Sequence, residues 1–164
     1  DKIRAFDSNL TFLMGGKEEE LELIISAEGI RDHFPAVEAL VAAAPKIPGW
    51  QVIAFKPPHG TLDFVLEFGD IKLDPKEVWF VGLGTADDPS LIGLRIGFRE
   101  YEEERKQVFL QATFLLLDII LGEKSTTMDL SYVDVMDLPV LPSEEGWMRM
   151  TELREYIDQR KAQV

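Results

Sequence analysis

The chain has 164 residues, a usual length for one domain with a single hydrophobic core, so we predict one domain over residues 1–164. Apolar residues make up 46% of the chain and charged residues 29%, which excludes a disordered, collagen-like or coiled-coil protein. The sequence contains no cysteine, which excludes disulfides, thiolate catalysis and cysteine-based zinc sites. Thirty acidic residues against seventeen basic ones give a formal charge of −13 at pH 7.

A negative charge of this size repels nucleic-acid phosphates and anionic lipid headgroups, so we expect neither nucleic-acid nor membrane binding. Acidic residues cluster at residues 18–20 with Glu22, and again at Glu100 and residues 102–104. Runs this short usually lie in solvated turns or helix starts, and the general expectation is a cytoplasmic protein kept in solution by its charge. The alternative is an acidic face that binds a basic protein.

The first twenty residues lack the basic start and apolar block of a signal peptide. The most apolar segment, residues 108–121, is too short to span a bilayer and contains Gln111, Thr113 and Asp118. Because the chain opens at Asp1 without an initiator methionine, the expectation is a processed or trimmed piece of a longer protein.

Hydrophobic periodicity divides the chain into strands and helices. Apolar runs and alternating patterns predict strands over residues 9–14, 20–27, 50–56, 62–68, 71–73, 78–83, 91–98 and 127–136. Apolar residues at helical spacing predict helices over residues 35–44, 102–121 and 151–161. Gly15 and Gly16 supply the positive φ of a tight turn between the first two strands. Asp32 and Thr151 are expected to cap two of the helices, and Gly122 to end the longest one.

The element order contains two β–α–β passages embedded in antiparallel hairpins. It predicts an α+β fold, a mixed and mostly antiparallel sheet with helices packed on one face. Residues 108–121 are apolar almost all round, so contact with the sheet alone cannot cover this helix. We therefore expect the helix to be enclosed on every side, between the sheet and the closing helix.

Few residues in the sequence suit acid–base chemistry. His33 and His59 lie in turns without metal-ligand spacing, so their expected roles are structural or exposed. Asp118 interrupts an apolar helix near its C-terminal end, where the helix dipole disfavours negative charge. The favoured interpretation places Asp118 on a narrow exposed stripe with Gln111, or has it accept hydrogen bonds from the loop after Gly122. The alternative is a buried carboxyl with a raised pKa that acts as a general acid, with His59 as a second acid–base candidate.

Loop carboxylates are the remaining candidates for ligand chemistry. Asp87 with Asp88, and the set of Asp70, Asp74 and Glu77, carry the oxygen ligands that hard cations prefer, but neither group fits the calcium-loop pattern. We therefore predict no metal and no cofactor, and interpret these carboxylates as solvated loop residues.

One predicted strand is apolar on both faces. Trp79, Val81 and Leu83 lie on one face, and Val78 and Phe80 fill the other. Either the chain covers both faces, or the first face is exposed and binds a partner. A homodimer and a partner protein explain an exposed face equally well, which makes that face the candidate binding surface.

Four stretches of the sequence carry a resemblance, namely residues 20–29 (ELELIISAEG), 34–55, 73–80 (LDPKEVWF) and 114–123 (FLLLDIILGE). In these stretches the chain resembles a family of conserved hypothetical bacterial α+β proteins. The resemblance covers about residues 9–163 and assigns no catalytic or binding residue. It implies a bacterial, cytoplasmic and non-enzymatic protein, often with a further helical segment ahead of the region that matches Asn9.

Two classes of function remain. The one we favour is a small acidic module that binds or regulates a basic protein, in the manner of immunity proteins that block basic toxins. The other is an enzyme that acts on a small molecule through carboxylates around Asp118. Such an enzyme requires a pocket that brings Asp118 or a histidine together with another polar group.

Overall fold

The computed structural model describes residues 2–84 and 92–163, and the strands within these ranges form three sheets. The helices are α1 (Lys2–Phe6), α2 (Phe34–Ala42), α3 (Lys106–Leu121), α4 (Glu123–Met128) and α5 (Leu153–Ala162). The strands are β1 (Thr11–Lys17), β2 (Glu20–Ser26), β3 (Trp50–Ala54), β4 (Leu66–Phe68), β5 (Ile71–Leu73), β6 (Trp79–Leu83), β7 (Ile92–Phe98), β8 (Leu130–Asp137) and β9 (Met148–Arg149).

The predicted fold class, α+β with mixed and mostly antiparallel strand pairing, is confirmed. Both β–α–β passages are present: β2 and β3 are parallel across α2, and β7 and β8 are parallel across α3 and α4. The other strand pairs of the described chain are antiparallel. The strands divide among three sheets instead of one, because β4 and β5 pair only with each other and separate the two passages.

The first hairpin forms, but its turn lies further along the chain than the sequence predicts. Glu18 and Glu19 make the turn, and Gly15 and Gly16 lie inside β1. Gly16 has a φ of 95°, and a Cβ at this position would lie 2.1 Å from the carbonyl oxygen of Glu20. Glycine is therefore required here for the close approach of the two strands and not for the reversal of the chain.

The three longest helices each begin with a single 3-10 turn, at Arg31–His33, Glu103–Arg105 and Met150–Glu152. The predicted caps are wrong, because neither Asp32 nor Thr151 lies at the N-cap of an α-helix. Each belongs to the 3-10 turn that precedes one, and the N-caps of α2 and α5 make no side-chain hydrogen bond to the helix. The turn supplies part of the hydrogen bonding that a capping side chain would otherwise provide.

The three-stranded sheet of β1, β2 and β3 packs against α2 through one of its faces. The buried side chains of this cluster are Leu10, Ile25, Ala27, Phe34, Val37 and Phe55. Side chains alternate between the faces of a strand, so Ile24 and its register partners Leu13 and Ile53 lie on the opposite face. Leu13 is 47% exposed, and Ile24 and Ile53 are half-buried, so this face is partly open.

The four-stranded sheet, in the order β8-β7-β6-β9, is covered by helices on one face, and on the other face it is covered only near Trp79, since Tyr132 and Met136 of β8 are 54% and 36% exposed there. Between the sheet and helices α3 and α5 lie the buried side chains Phe80, Leu94, Ile96, Leu116, Leu117, Ile120, Leu153 and Ile157. On the other face, Trp79 packs against Leu138 and Trp147. Gly97 leaves room for this packing, since a Cβ there would lie 2.6 Å from Leu138 and 2.8 Å from Trp147.

The expectation that the long helix is enclosed on every side is wrong. The inner face of α3, which includes Leu116 and Ile120, is fully buried. On the outer face, Phe114 is 46% exposed and Leu115 is 42% exposed. The reason is that α5 contacts α3 only near the C-terminal end of α3, where the Arg154 side chain donates a hydrogen bond to the Ile120 carbonyl. The outer face of α3 is therefore left uncovered.

Candidate functional site

A cleft of about 430 Å³ lies between the outer face of α3 and the open face of the three-stranded sheet. We call it the apolar cleft, because most of its lining is hydrocarbon. Its apolar lining includes Leu13, Ile24, Pro58, Leu66, Leu115 and Ile119. Three polar side chains, Lys56, His59 and Asp118, also line it.

The periodicity of the two elements brings these side chains together. Leu115, Asp118 and Ile119 are three and four residues apart, so they share one face of α3. Leu13 and Ile24 are register partners in adjacent strands, so they share one face of the sheet. With Leu13 47% and Leu115 42% exposed, the cleft has an open apolar side chain on each wall.

Glu123 joins the two sides of the cleft. Its side chain is fully buried, and its Oε1 accepts hydrogen bonds from the N–H groups of Ala27 and Gly29, each at 3.0 Å. Its Oε2 accepts a third hydrogen bond from the N–H of Lys56 at 3.1 Å. A carboxylate that receives three backbone donors is well solvated by the protein, so this arrangement ties β2 and the segment after β3 to the start of α4.

The backbone that Glu123 binds is held in an unfavourable conformation. Glu28, between two of the bonded amides, has a φ of 50°, and Phe55, directly before Lys56, has a φ of 67°. Residues other than glycine in this region cost about 1–3 kcal/mol each. The hydrogen bonds to Glu123 offset that cost and fix the segment that carries Lys56 into the cleft.

Asp118 is a half-buried carboxylate at the cleft, with 22% of its side chain exposed. Burial raises the pKa of Asp118, and the positive charge of Lys56, whose Nζ lies 4.0 Å from Oδ2, opposes that rise. Lys56 lies closer to Glu28, at 2.6 Å between Nζ and Oε2. Burial also raises the pKa of Glu28, but hydrogen bonds from Lys56 and Thr11 outweigh it and the pKa lies below its ordinary value.

Asp118 thus combines features of the two interpretations, the exposed stripe and the buried carboxyl with a raised pKa. It lies on the outer face of α3 together with exposed Leu115, and it is also a carboxyl with a raised pKa at a cavity wall. His59 lines the same cleft, although its Nδ1 lies 2.7 Å from the Thr61 carbonyl oxygen and its ring packs against Phe64. The structure brings these two candidates to one cavity.

His33 lies elsewhere, with its Nδ1 2.8 Å from Oδ2 of Asp7. This pair joins the 3-10 turn before α2 to the residues that follow α1. A backbone hydrogen bond from Asn9, together with His33, holds the pKa of Asp7 below its ordinary value. The contact gives His33 the structural role that the sequence predicts.

Of the candidate binding surface at Trp79, Val81 and Leu83, the structure corrects Trp79. Trp79 is 7% exposed, lies beneath Leu138 and Trp147, and carries the Arg149 guanidinium 4.4 Å above its ring. Val81 and Leu83 are half-buried. The chain itself covers Trp79, so Trp79 offers no open face to a partner.

The loop carboxylates that could serve as cation ligands have other partners where they are described. Asp70 pairs with Arg105 at 2.5 Å, and Asp74 accepts a hydrogen bond from the N–H of Lys76. Asp87 and Asp88 lie outside the described residues. Within residues 2–84 and 92–163, no three His, Cys, Asp or Glu side chains are grouped as a metal site.

Sequence reasoning missed Glu123 and Lys56. A local signal for Glu123 was present, because a glycine and then a glutamate directly follow the apolar helix. Gly122 ends α3, and a glutamate is favourable at the start of the next helix. A Cβ on Gly122 would lie 2.9 Å from Pro58, so this glycine also permits the segment after β3 to pack closely. The three hydrogen-bond donors to Glu123 lie far away in the sequence, and no local pattern reveals them.

No helix in the described part of the chain is long and apolar enough to cross a membrane. Comparisons of the chain with protein-family models, with curated proteins and with solved structures each gave no match.

Proposed function

We propose that the protein is an acidic protein-binding module, and that the apolar cleft receives apolar side chains of a basic partner protein. The observation that carries the proposal is the pair of exposed leucines, Leu13 and Leu115, on opposite walls of one cavity. Exposed apolar side chains that converge on a concave surface are typical of protein-interaction sites. We further propose that the protein is bacterial and cytoplasmic, as the resemblance implies.

The charge around the cleft supports a basic partner. On the sheet wall, Glu20 and Glu22 share the face of Ile24, because strand residues two apart point the same way. The chain as a whole carries a formal charge of −13. Complementary charge steers a partner and sets its orientation, while apolar contacts at the centre supply most of the affinity.

A second candidate function, an enzyme that uses carboxylate chemistry, is favoured by the raised pKa of Asp118 and by the presence of His59 at the same cavity. The substitution Asp118→Asn separates the two functions. A binding module keeps most of its affinity after this change, because the amide has nearly the same shape as the carboxyl and only one of the acidic groups near the cleft loses its charge. An enzyme that depends on the Asp118 proton loses its activity, since an amide cannot transfer that proton.

The direct test is a comparison of immobilised variants in an extract of cells that make the protein. Wild type and the control Val140→Lys, at a residue that is 85% exposed and does not line the cleft, should retain the same basic protein in stoichiometric amount. Leu115→Lys should lose that protein, because it places a charge in the apolar cleft. High salt should weaken the retained complex.

Retention of the same partner by Leu115→Lys would contradict a contact at the cleft. A wild-type protein that instead elutes as a dimer in sizing experiments, while Leu115→Lys elutes as a monomer, would assign the cleft to a second copy of this chain.

A further inference from the structure

The outer strand of the three-stranded sheet has an unpaired edge. β1 pairs with β2 on one side and with no described strand on the other. Exposed apolar side chains lie along it, with Phe12 42%, Leu13 47% and Met14 70% exposed. Natural edge strands usually carry charges, prolines or bulges that prevent pairing, but β1 has no proline and no charge before Lys17.

Negative charge lies at one end of this edge. The turn that follows β1 consists of Glu18 and Glu19, both exposed, and Glu20 begins β2. At the other end of β1, Glu28 accepts a hydrogen bond from the Thr11 side chain and is paired with Lys56, so the acidic end of the edge is the turn beyond Lys17. A strand that pairs with β1 gains most if it is apolar and carries basic residues at the acidic end.

We propose that the partner adds a strand antiparallel to β1, with a run of basic residues just before that strand. In an antiparallel pair, the start of the added strand lies beside the end of β1, so the basic residues meet Glu18 and Glu19. We choose the antiparallel direction because antiparallel pairs are two to three times as common as parallel ones. The proposal rests on the proposed function and specifies how the basic partner binds.

Strand addition at β1 is continuous with the apolar cleft. Leu13 belongs to β1 and lines the cleft, so the added strand extends the sheet wall on which Leu13 lies. Alternate side chains of the added strand then lie on the cleft side of the sheet and the others on the side of Phe12 and Met14. A second copy of this chain is a poorer occupant, because it carries the same strong negative charge.

The test uses two synthetic peptides of identical composition, one with lysines ahead of alternating valine and threonine and one with the reverse order. Titration calorimetry at low salt should give tighter binding for the peptide with lysines first. The double variant Glu18→Lys with Glu19→Lys should weaken that binding about tenfold, from the loss and reversal of two exposed ion pairs. The matched control, Glu144→Lys with Glu145→Lys in another exposed segment, makes the same charge change and should weaken it much less.

Amide hydrogen exchange of the peptide complex supplies the structural readout. New protection of alternate amides along β1 supports strand addition, because only the groups on the free edge gain partners. Equal affinity for the two peptides, or unchanged exchange along β1, overturns it. Protection of β1 in the free protein that grows with protein concentration also overturns it, and assigns the edge to a second copy.

The same experiments separate this inference from the proposed function. If Leu115→Lys loses the cellular partner but the β1 amides of the wild-type complex are not protected, the cleft is the binding site and strand addition is ruled out. Protection of β1 by the peptide, with the partner retained by Leu115→Lys, leaves strand addition and removes the cleft.

Discussion

The two larger sheets of this protein differ in how completely the chain covers them. The four-stranded sheet has α3 and α5 on one face, and Leu138 and Trp147 on the other. The three-stranded sheet has α2 on one face, while its other face and its β1 edge are partly exposed. Most of the four-stranded sheet is thus covered by its own chain, although Tyr132 and Met136 at its β8 edge are exposed, whereas the three-stranded sheet has both an open apolar face and a free edge left for another molecule.

The difference can be traced to particular residues. In the four-stranded sheet, Gly97 makes room for Trp147 and Leu138 to lie directly on the strands. In the three-stranded sheet, the uncovered face carries Ile24 next to Glu22, and this mixture of apolar and acidic groups suits a partner that presents apolar and basic side chains. The stability of the fold should therefore depend mainly on the four-stranded sheet, and partner binding on the three-stranded sheet.

The largest effect is expected at Glu123, which connects the two regions. Glu123→Ala leaves three N–H groups without their acceptor, each worth about 1–3 kcal/mol when buried, so the free energy of unfolding should fall by about 3 kcal/mol or more. Urea unfolding followed by circular dichroism measures it. The control Glu38→Ala removes only an exposed pair with Lys124 and should cost less than about 0.5 kcal/mol. Equal losses in the two variants would show that Glu123 does not join the regions.

The two faces of α3 should respond differently to the same truncation. Leu116→Ala opens a cavity in the fully buried cluster and should lower the unfolding free energy by about 2–5 kcal/mol. Leu115→Ala, one residue away on the exposed face, should change it by about 0.5 kcal/mol or less. Thermal and urea unfolding of the two variants provide the comparison. A large loss in Leu115→Ala would mean that the outer face is part of the core.

The outer face of the four-stranded sheet can be tested with a single methyl group. Gly97→Ala places a Cβ against Leu138 and Trp147 and should destabilise the protein by about 1–3 kcal/mol through overpacking. Gly60→Ala adds the same methyl where no atom lies within 4 Å, and should be neutral or slightly stabilising. If both variants have the same melting temperature, Trp147 does not cover the sheet in solution.

The smallest effect is expected from Asp118→Asn. Because burial raises the pKa of Asp118 in the folded protein above 3.8, the charged carboxylate costs stability at neutral pH, and the amide removes that cost. The melting temperature of the variant should exceed that of wild type at neutral pH. The difference should vanish as the pH falls through the folded pKa and below 3.8, where both side chains are neutral.

Asp137→Asn, at an exposed residue at the end of β8, is the control and should leave the melting temperature unchanged at either pH. A variant of Asp118 that is less stable than wild type at neutral pH would contradict a net cost of burial, and would show that the attraction to Lys56 dominates.

The sequence predicted the elements better than their assembly. Both β–α–β passages follow from local periodicity, which Leu21, Leu23 and Ile25 display in β2. The turn of the first hairpin was misplaced, because Gly16 serves a close contact between strands and a local pattern cannot distinguish this from a turn. The short helix α4 was missed, and its last two residues, 127 and 128, were predicted as the start of a strand, which a threonine equally suits.

The candidate site was predicted only in fragments. Asp118 and His59 were named, but their meeting at one cavity depends on the distance between α3 and the loop after β3, which no local pattern contains. Whether Trp79 is covered by the chain or by a partner could not be predicted, because Trp147, which covers it, lies far along the chain. The exposure of the outer face of α3 was missed, because the exposed Leu115 and its buried neighbour Leu116 lie in the same apolar run.

Amide hydrogen exchange of the complex with the captured basic protein tests the central claim most directly, because it reports on both sheets at once. Our account predicts slowed exchange along β1, in the turn of Glu18 and Glu19, and around Leu115, with the strands β6 and β7 unchanged. Slowed exchange confined to β6, β7 or β8, with β1 and the outer face of α3 as free as in the isolated protein, would contradict it.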